Sequence, residues 1–182
     1  MSPKSSRSEK KTDAVAILKS DHRLVEGLFK SFKKAKASTQ KSKIAQQICM
    51  ELAIHTAIEE EMFYPASEGE IEDDLLNEAY VEHDGAKLLI AEIMAGSTDD
   101  RFYDAKVKVL SEAIKHHVKE EEQRGGMFAQ AKKAGLDLAE LGQRMAARKK
   151  ELKRAYSNGG LPALKTRTLK GAKVSYDQPL AA

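Results

Sequence analysis

Residues 44–65, IAQQICMELAIHTAIEEEMFYP, contain the pattern that decides the fold class. Their apolar residues recur every three or four positions, which is the spacing of one face of an α-helix. His55 and Glu59 continue this spacing at positions where a buried Leu or Ile is expected. We therefore predict a helix from about Gln40 to Tyr64, which stops at Pro65 because proline does not continue a helix comfortably.

Three further segments repeat this pattern, and each carries a histidine on its apolar stripe. Helices are predicted over about 12–36, 72–95 and 100–123, with His22, His83 and His117 on the stripes. Short connections between four long helices favour antiparallel neighbours. We predict an all-α fold, an antiparallel up-down-up-down four-helix bundle. A short turn of helix at 127–133 and an additional helix at about 137–155, with Asp137 as its N-cap, are expected to follow.

The two ends of the chain are basic and the middle is acidic, although the formal net charge is only +3. We expect a disordered basic arm at 1–11 and one domain at 12–155. Residues 156–182 are expected to form a basic flexible tail, or an arm that docks on the bundle or on a partner subunit. The tail lacks the interleaved aromatic residues of nucleic-acid-binding segments, so we expect a solvated arm and no nucleic acid partner.

The composition excludes several classes of protein. Cys49 is the only cysteine in 182 residues, so an internal disulfide and clusters held by several thiolates are excluded. No stretch approaches the roughly 18 apolar residues of a membrane span, and the N-terminus lacks the apolar core of a secretion signal. We expect a cytoplasmic protein without membrane contact, either a monomer or a weak homo-oligomer.

The four histidines are predicted to meet in one layer of the bundle, because each lies at a similar distance from the turns that join the helices. Glu59 and Glu121 each follow a histidine by four residues, which places them on the same face. A buried carboxylate needs a cation nearby, and no Lys or Arg shares these stripes. Two carboxylates that can bridge, surrounded by four imidazoles, suit two iron ions.

This arrangement resembles the hemerythrin-like HHE cation-binding domain over about residues 14–153. The segments that carry the resemblance are Asp21-His22-Arg23, His55 to Pro65, Glu82-His83-Asp84, and His116 to Glu122 followed by Met127-Phe128. The resemblance implies a non-haem di-iron centre in which Glu59 and Glu121 are the bridges. The implied metal ligands are His22, His55, Glu59, His83, His117 and Glu121.

The sequence departs from the oxygen-carrying hemerythrins at Lys87. Those proteins carry a second histidine on the third helix, four residues after the first, and here Lys87 follows His83 at that spacing. The missing imidazole implies an open or water-filled position on one iron. This disfavours simple reversible oxygen carriage and favours a site that reacts with oxygen or peroxide, or that senses iron or oxygen.

The expected function is therefore that of a di-iron protein that binds or reacts with oxygen, peroxide or nitric oxide, in oxygen or iron sensing or in an oxidative-stress response. Catalase-like or ferroxidase turnover stays open, as does zinc or another divalent metal in place of iron. The alternative function is a regulatory or scaffolding helical module with a structural metal, whose basic tail contacts a partner.

Neighbouring polar residues are assigned lesser roles. His116 is expected to face a neighbouring helix or to support the site, and Glu26 to lie at the surface or in support of the site. Glu60 and Glu61 are expected to be solvated charges. The remaining candidates, Tyr64, Tyr80 and Cys49, are expected to be structural residues of the helices.

Overall fold

The computed structural model describes residues 13–170, and every regular element in that range is helical. The elements are α1 (Ala14–Lys34), α2 (Ser38–Ile58), a π-helical turn (Glu59–Phe63), α3 (Tyr64–Ser67), α4 (Asp73–Ala95), α5 (Tyr103–Glu122), α6 (Met127–Ala134) and α7 (Leu138–Gly159). The predicted all-α fold is confirmed. The predicted arm at 1–11 and the end of the predicted tail, 171–182, lie outside the described residues.

Two of the helices begin at an aspartate that caps them, and one of these is the predicted N-cap Asp137. The Asp13 carboxylate accepts a hydrogen bond from the Ala16 N–H at 2.7 Å at the start of α1. The Asp137 carboxylate accepts from the Glu140 N–H at 2.9 Å at the start of α7. Each contact satisfies a backbone donor that has no partner within the helix, which fixes where the helix begins.

Helices α1, α2, α4 and α5 form a ring in which each packs against the next and α5 packs against α1. Leu18, near the start of α1, shares an apolar cluster with Ile54, near the end of α2. Phe32, near the end of α1, shares a second cluster with Ile48, in the middle of α2. The two helices are therefore antiparallel, as their short connection requires, and α7 packs on the outside of α1 and α2.

The two apolar clusters lie at opposite ends of the bundle and leave a polar layer between them. On α1 the first cluster includes Leu18 and the second begins at Val25. On α2 the second cluster ends at Leu52, and the first includes Ile54 and Ile58 on either side of His55. His22 lies on α1 between Leu18 of the first cluster and Val25 of the second. The burial of apolar side chains at both ends of the bundle therefore also fixes where the histidine layer lies along the bundle axis.

The prediction that the second helix stops at Pro65 is wrong. The helical path continues through the π turn to Ser67, with Pro65 in the first turn of α3, where proline is tolerated. In the π turn the Tyr64 N–H donates to the Glu59 carbonyl, five residues earlier. The next hydrogen bond of this pattern would join the Pro65 nitrogen to the Glu60 carbonyl, but proline has no N–H. The Glu60 carbonyl instead accepts from the Arg167 guanidinium at 3.3 Å.

The C-terminal helix is longer than the predicted 137–155, because α7 runs to Gly159. The following residues, 160–170, which we call the strap, lie against the bundle, with Leu161 and Leu164 on the second apolar cluster. Within the described range, none of the helices combines the length and the apolar character needed to cross a membrane.

Candidate metal centre

The four predicted histidines come together in the core, one from each bundle helix. All four are buried, with 2–4% of their surface exposed. The Nε2 atoms of His22 on α1 and His55 on α2 lie 3.1 Å apart. The Nε2 atoms of His83 on α4 and His117 on α5 lie 3.3 Å apart. The layer therefore consists of two imidazole pairs whose Nε2 atoms face each other.

Glu59 and Glu121 lie between the two pairs and contact both of them. The Oε2 atom of Glu59 lies 3.1 Å from the Nε2 atom of His55 and 3.3 Å from that of His83. Glu121 places Oε2 at 3.2 Å from the Nε2 atom of His22 and Oε1 at 3.6 Å from that of His117. Each carboxylate thus reaches one histidine of each pair, which is the geometry of a bridging group.

The outward-facing Nδ1 atoms all point to carboxylates, which we call the outer carboxylates: Asp21, Glu60, Glu82 and Glu122. The Nδ1 distances are 2.7 Å for His22 to Glu122 and 3.1 Å for His83 to Glu60. The distance is 2.8 Å for His117 to Glu82. The Nδ1 atom of His55 lies 3.7 Å from Asp21, which is beyond hydrogen-bond distance, so this pair is an electrostatic contact only. A carboxylate on Nδ1 orients the ring and leaves the Nε2 lone pair free for a metal ion.

The outer carboxylates form a cycle around the bundle, and we did not predict this role for any of them from the sequence. Asp21 on α1 serves the histidine of α2, and Glu60 in the π turn serves that of α4. Glu82 on α4 serves the histidine of α5, and Glu122 on α5 serves that of α1. Each is the immediate chain neighbour of a predicted ligand, and this adjacency is the signal that could have found them.

The residues present fit a cation at the centre. Both carboxylate oxygens of Glu59 and the Oε2 atom of Glu121 are buried and have no hydrogen-bond donor among residues 13–170. A buried carboxylate without a partner lowers the free energy of unfolding by about several kcal/mol, unless a cation nearby compensates its charge. Two groups of candidate ligand atoms each lie within 4.8 Å of one another. One comprises His22, His55, Glu59 and Glu121, and the other Glu59, His83 and His117.

The charge states of His55 and His83 suit a cation. Burial lowers the pKa of His55 to about 4 and lowers the pKa of His83. Both rings are therefore neutral at pH 7 and offer lone pairs. Burial alone would lower the pKa of His117 as well, but the carboxylates of Glu121 and Glu82 raise it above its ordinary value. Burial and the nearby Glu121 carboxylate raise the pKa of Glu59 well above its ordinary value. Burial alone would raise the pKa of Glu121, but the imidazoles around it, that of His117 first, hold it below its ordinary value.

Comparison with known proteins agrees with this geometry. The sequence profile of the hemerythrin HHE cation binding domain matches residues 13–128. This chain belongs to the hemerythrin HHE family. The match includes the four bundle helices and all six predicted ligands, so the HHE domain accounts for the cation-binding character of the layer. It ends at Phe128, before α7 and the strap.

A solved structure shares the fold of this HHE domain protein. The crystal structure of a hemerythrin HHE cation binding domain-containing protein from Mycobacterium kansasii superposes with a TM-score of 0.69 at 24% sequence identity. The similarity covers 83% of this chain and 96% of the mycobacterial one. No curated protein sequence matches the chain.

Tyr64 is a further residue of the HHE centre, although we expected it to be structural. Its hydroxyl lies 3.1 Å from the Nε2 atom of His83 and donates to Glu121 Oε1 at 3.4 Å. In an α-helix, residues five apart point about 140° away from each other. The π turn brings Glu59 and Tyr64 to the same face, so both reach His83.

The prediction that Glu60 is a solvated charge is wrong. Its side chain is buried and accepts from the Lys87 ammonium at 2.6 Å as well as contacting His83. Lys87 is buried too, and its second carboxylate partner is Asp84 at 3.1 Å. Lys87 therefore turns away from the centre and forms ion pairs with two buried acids.

The other polar neighbours lie outside the layer. Glu26 and Glu61 are paired with Arg23 and Arg148 at the surface. His116 is more than half exposed and lies 3.4 Å from Glu82 and 3.3 Å from Glu120. It contacts an outer carboxylate without reaching the centre.

A small cavity lies beside the imidazoles, with apolar walls that include Val25, Leu52, Ile114 and Val118. Its volume of about 10 Å³ is close to the minimum that holds one water molecule. The space next to the centre therefore has room for one very small molecule.

Proposed function

We propose that His22, His55, Glu59, His83, His117 and Glu121 bind two iron ions, and that this centre binds or reacts with dioxygen, peroxide or nitric oxide. Oxygen or iron sensing, or an oxidative-stress response, is the corresponding role. The observation that carries the proposal is the pair of buried glutamates at the focus of four inward-facing Nε2 atoms. Carboxylates that bridge and imidazoles that cap are donors that suit iron.

Bound iron supplies the redox chemistry toward these small molecules, and the chain supplies orientation and a dry environment. The outer carboxylates hold the imidazoles in one tautomer and raise their basicity. The Tyr64 hydroxyl is a proton donor beside His83 and Glu121. The apolar cavity restricts access to molecules of about the size of water.

The presence of Lys87 in place of a second histidine on α4 favours a centre that reacts with its small ligand over one that only carries it. Because its ammonium group is held by Glu60 and Asp84, the α4 side offers His83 alone where the oxygen carriers offer two imidazoles. A metal ion held by His83 would therefore have a position that no second imidazole of α4 fills and that a small ligand could take. Zinc could occupy the same donors, and a cytoplasmic location and a monomeric or weakly oligomeric state remain predictions.

The test is to mix protein loaded anaerobically with Fe(II) with oxygen, hydrogen peroxide or nitric oxide and to record the absorption spectrum. We expect new near-ultraviolet or visible bands that zinc-loaded protein does not develop. Iron-loaded protein whose spectrum changes with none of the three would contradict the reactive centre. That result would favour the alternative, a scaffolding or regulatory module with a structural metal.

A further inference from the structure

A buried carboxylate, that of Asp84, is the main polar anchor of the strap on the bundle. Asp84 is fully buried and accepts from the backbone N–H groups of Arg167, Thr168 and Leu169 at 2.8, 2.6 and 3.1 Å. The Thr168 hydroxyl donates to the same oxygen at 2.7 Å. These donors, together with Lys87, hold the pKa of Asp84 below its ordinary value despite burial. The carboxylate is therefore charged and gathers three consecutive residues of the strap around itself.

This anchor places the Arg167 side chain on Glu60. The Nε atom of Arg167 lies 3.1 Å from Oε2 of Glu60, and its Nη2 atom donates to the Glu60 carbonyl at 3.3 Å. The guanidinium also lies 5.3 Å from the centre of the Tyr80 ring. Two contacts to one residue fix both the side chain and the backbone of Glu60.

Glu60 is the outer carboxylate of His83, so Arg167 of the strap contacts a residue that in turn contacts a predicted ligand. With Arg167 in place, the charges of Asp84, Glu60, Lys87 and Arg167 cancel. Without it, Lys87 alone must serve both carboxylates. Glu60 would then be free to turn away from the Nδ1 atom of His83.

We propose that Arg167 of the strap is a positioning residue that holds Glu60 on His83 and thereby tightens binding of the metal ion on the side of His83 and His117. This inference rests on the proposed function. The strap lies beyond the matched segment 13–128, so the family match does not imply this role. The other imidazole pair is oriented by Asp21 and Glu122, whose basic partners include Lys149 and Arg23.

The experiment is an anaerobic Fe(II) titration of the full chain against a competing chelator. Loss of a residue that hydrogen-bonds a metal ligand lowers metal affinity by about 10–100-fold. Because Arg167 acts on the ligand His83 only through Glu60, we expect Arg167→Ala to have an effect at the lower end of this range. We therefore expect about a tenfold loss in one of the two binding steps and no change in the other. The matched control is Lys165→Ala, because Lys165 is an exposed strap cation without an ion pair among the described residues.

A double-mutant cycle with Glu60→Gln tests whether Arg167 acts through Glu60. Glu60→Gln is expected to weaken the same step, and adding Arg167→Ala is expected to cause no further loss. Additive losses would overturn the proposal, and so would equal weakening of both steps or two unchanged steps in Arg167→Ala. Wild-type protein that binds no iron would instead overturn the proposed function on which this inference rests.

Discussion

Glu59→Gln is expected to prevent binding of both metal ions. Glu59 belongs to both groups of candidate ligands, and its Oε2 atom contacts one imidazole of each pair. The amide keeps the size of the side chain but cannot bridge two cations. Removal of a residue that only hydrogen-bonds a metal ligand already lowers metal affinity by about 10–100-fold. Because Glu59 is itself a predicted ligand, we expect a loss in affinity above about 100-fold. Iron content after loading and desalting measures the effect.

The matched control is Glu61→Gln, two residues further along the π turn. Glu61 is exposed and paired with Arg148 at the surface, so we expect full iron content and a change in stability within about 0.5 kcal/mol. Glu59→Leu separates loss of binding from loss of folding. Removing the unpartnered carboxylate should leave the metal-free protein as stable as wild type or more stable, by up to about 4 kcal/mol. Two tightly bound iron ions in Glu59→Gln would contradict the bridging role.

Removal of the metal is expected to lower the melting temperature by about 10 °C. Ligand at 1,000 times its dissociation constant stabilises a folded protein by about 4 kcal/mol, and each kcal/mol shifts a chain of this size by about 2–4 °C. In the metal-free state the oxygens of Glu59 and Glu121 are buried without donors, and their compensation by the ion is part of this binding free energy. Calorimetry with and without a chelator measures the shift.

Glu59→Gln is the control for this comparison, because a chelator should not change its melting temperature. Equal melting temperatures for chelated and iron-loaded wild-type protein would mean that the ion does not bind to the buried layer. A shift that also appears in Glu59→Gln would place the stabilising ion elsewhere on the protein.

The six candidate ligands could be predicted from the sequence because each interrupts an apolar stripe. A histidine or glutamate at a position such as 55 or 59 must enter the core, whatever surrounds it. The helix order and short loops then determine that the four stripes meet. The structure places all six side chains in one connected cluster of contacts, while their assignment as ligands remains a prediction.

The outer carboxylates could not be predicted in the same way. Glu60 and Glu82 are chain neighbours of inward residues and point about 100° away around a helix. The sequence does not distinguish whether such a side chain meets solvent or the histidine of the next helix. That outcome depends on how closely the helices approach, which only the packed bundle determines.

Two further features depended on long-range contacts. The π turn that brings Tyr64 to the centre has no local sequence signal, and Pro65 suggested a helix end. The Glu60 carbonyl beside this turn finds its donor in Arg167, which is 107 residues further along the chain. The strap has no hydrophobic period, so the sequence left open whether it was a tail or a docked arm.

The number of iron ions bound per chain, measured by elemental analysis after anaerobic loading and desalting, decides whether this layer is a di-iron centre. We expect two ions per chain in wild-type protein, and anomalous scattering at the iron edge should place both among the Nε2 atoms of His22, His55, His83 and His117. Folded protein that retains no iron, or iron located away from these four atoms, would contradict it.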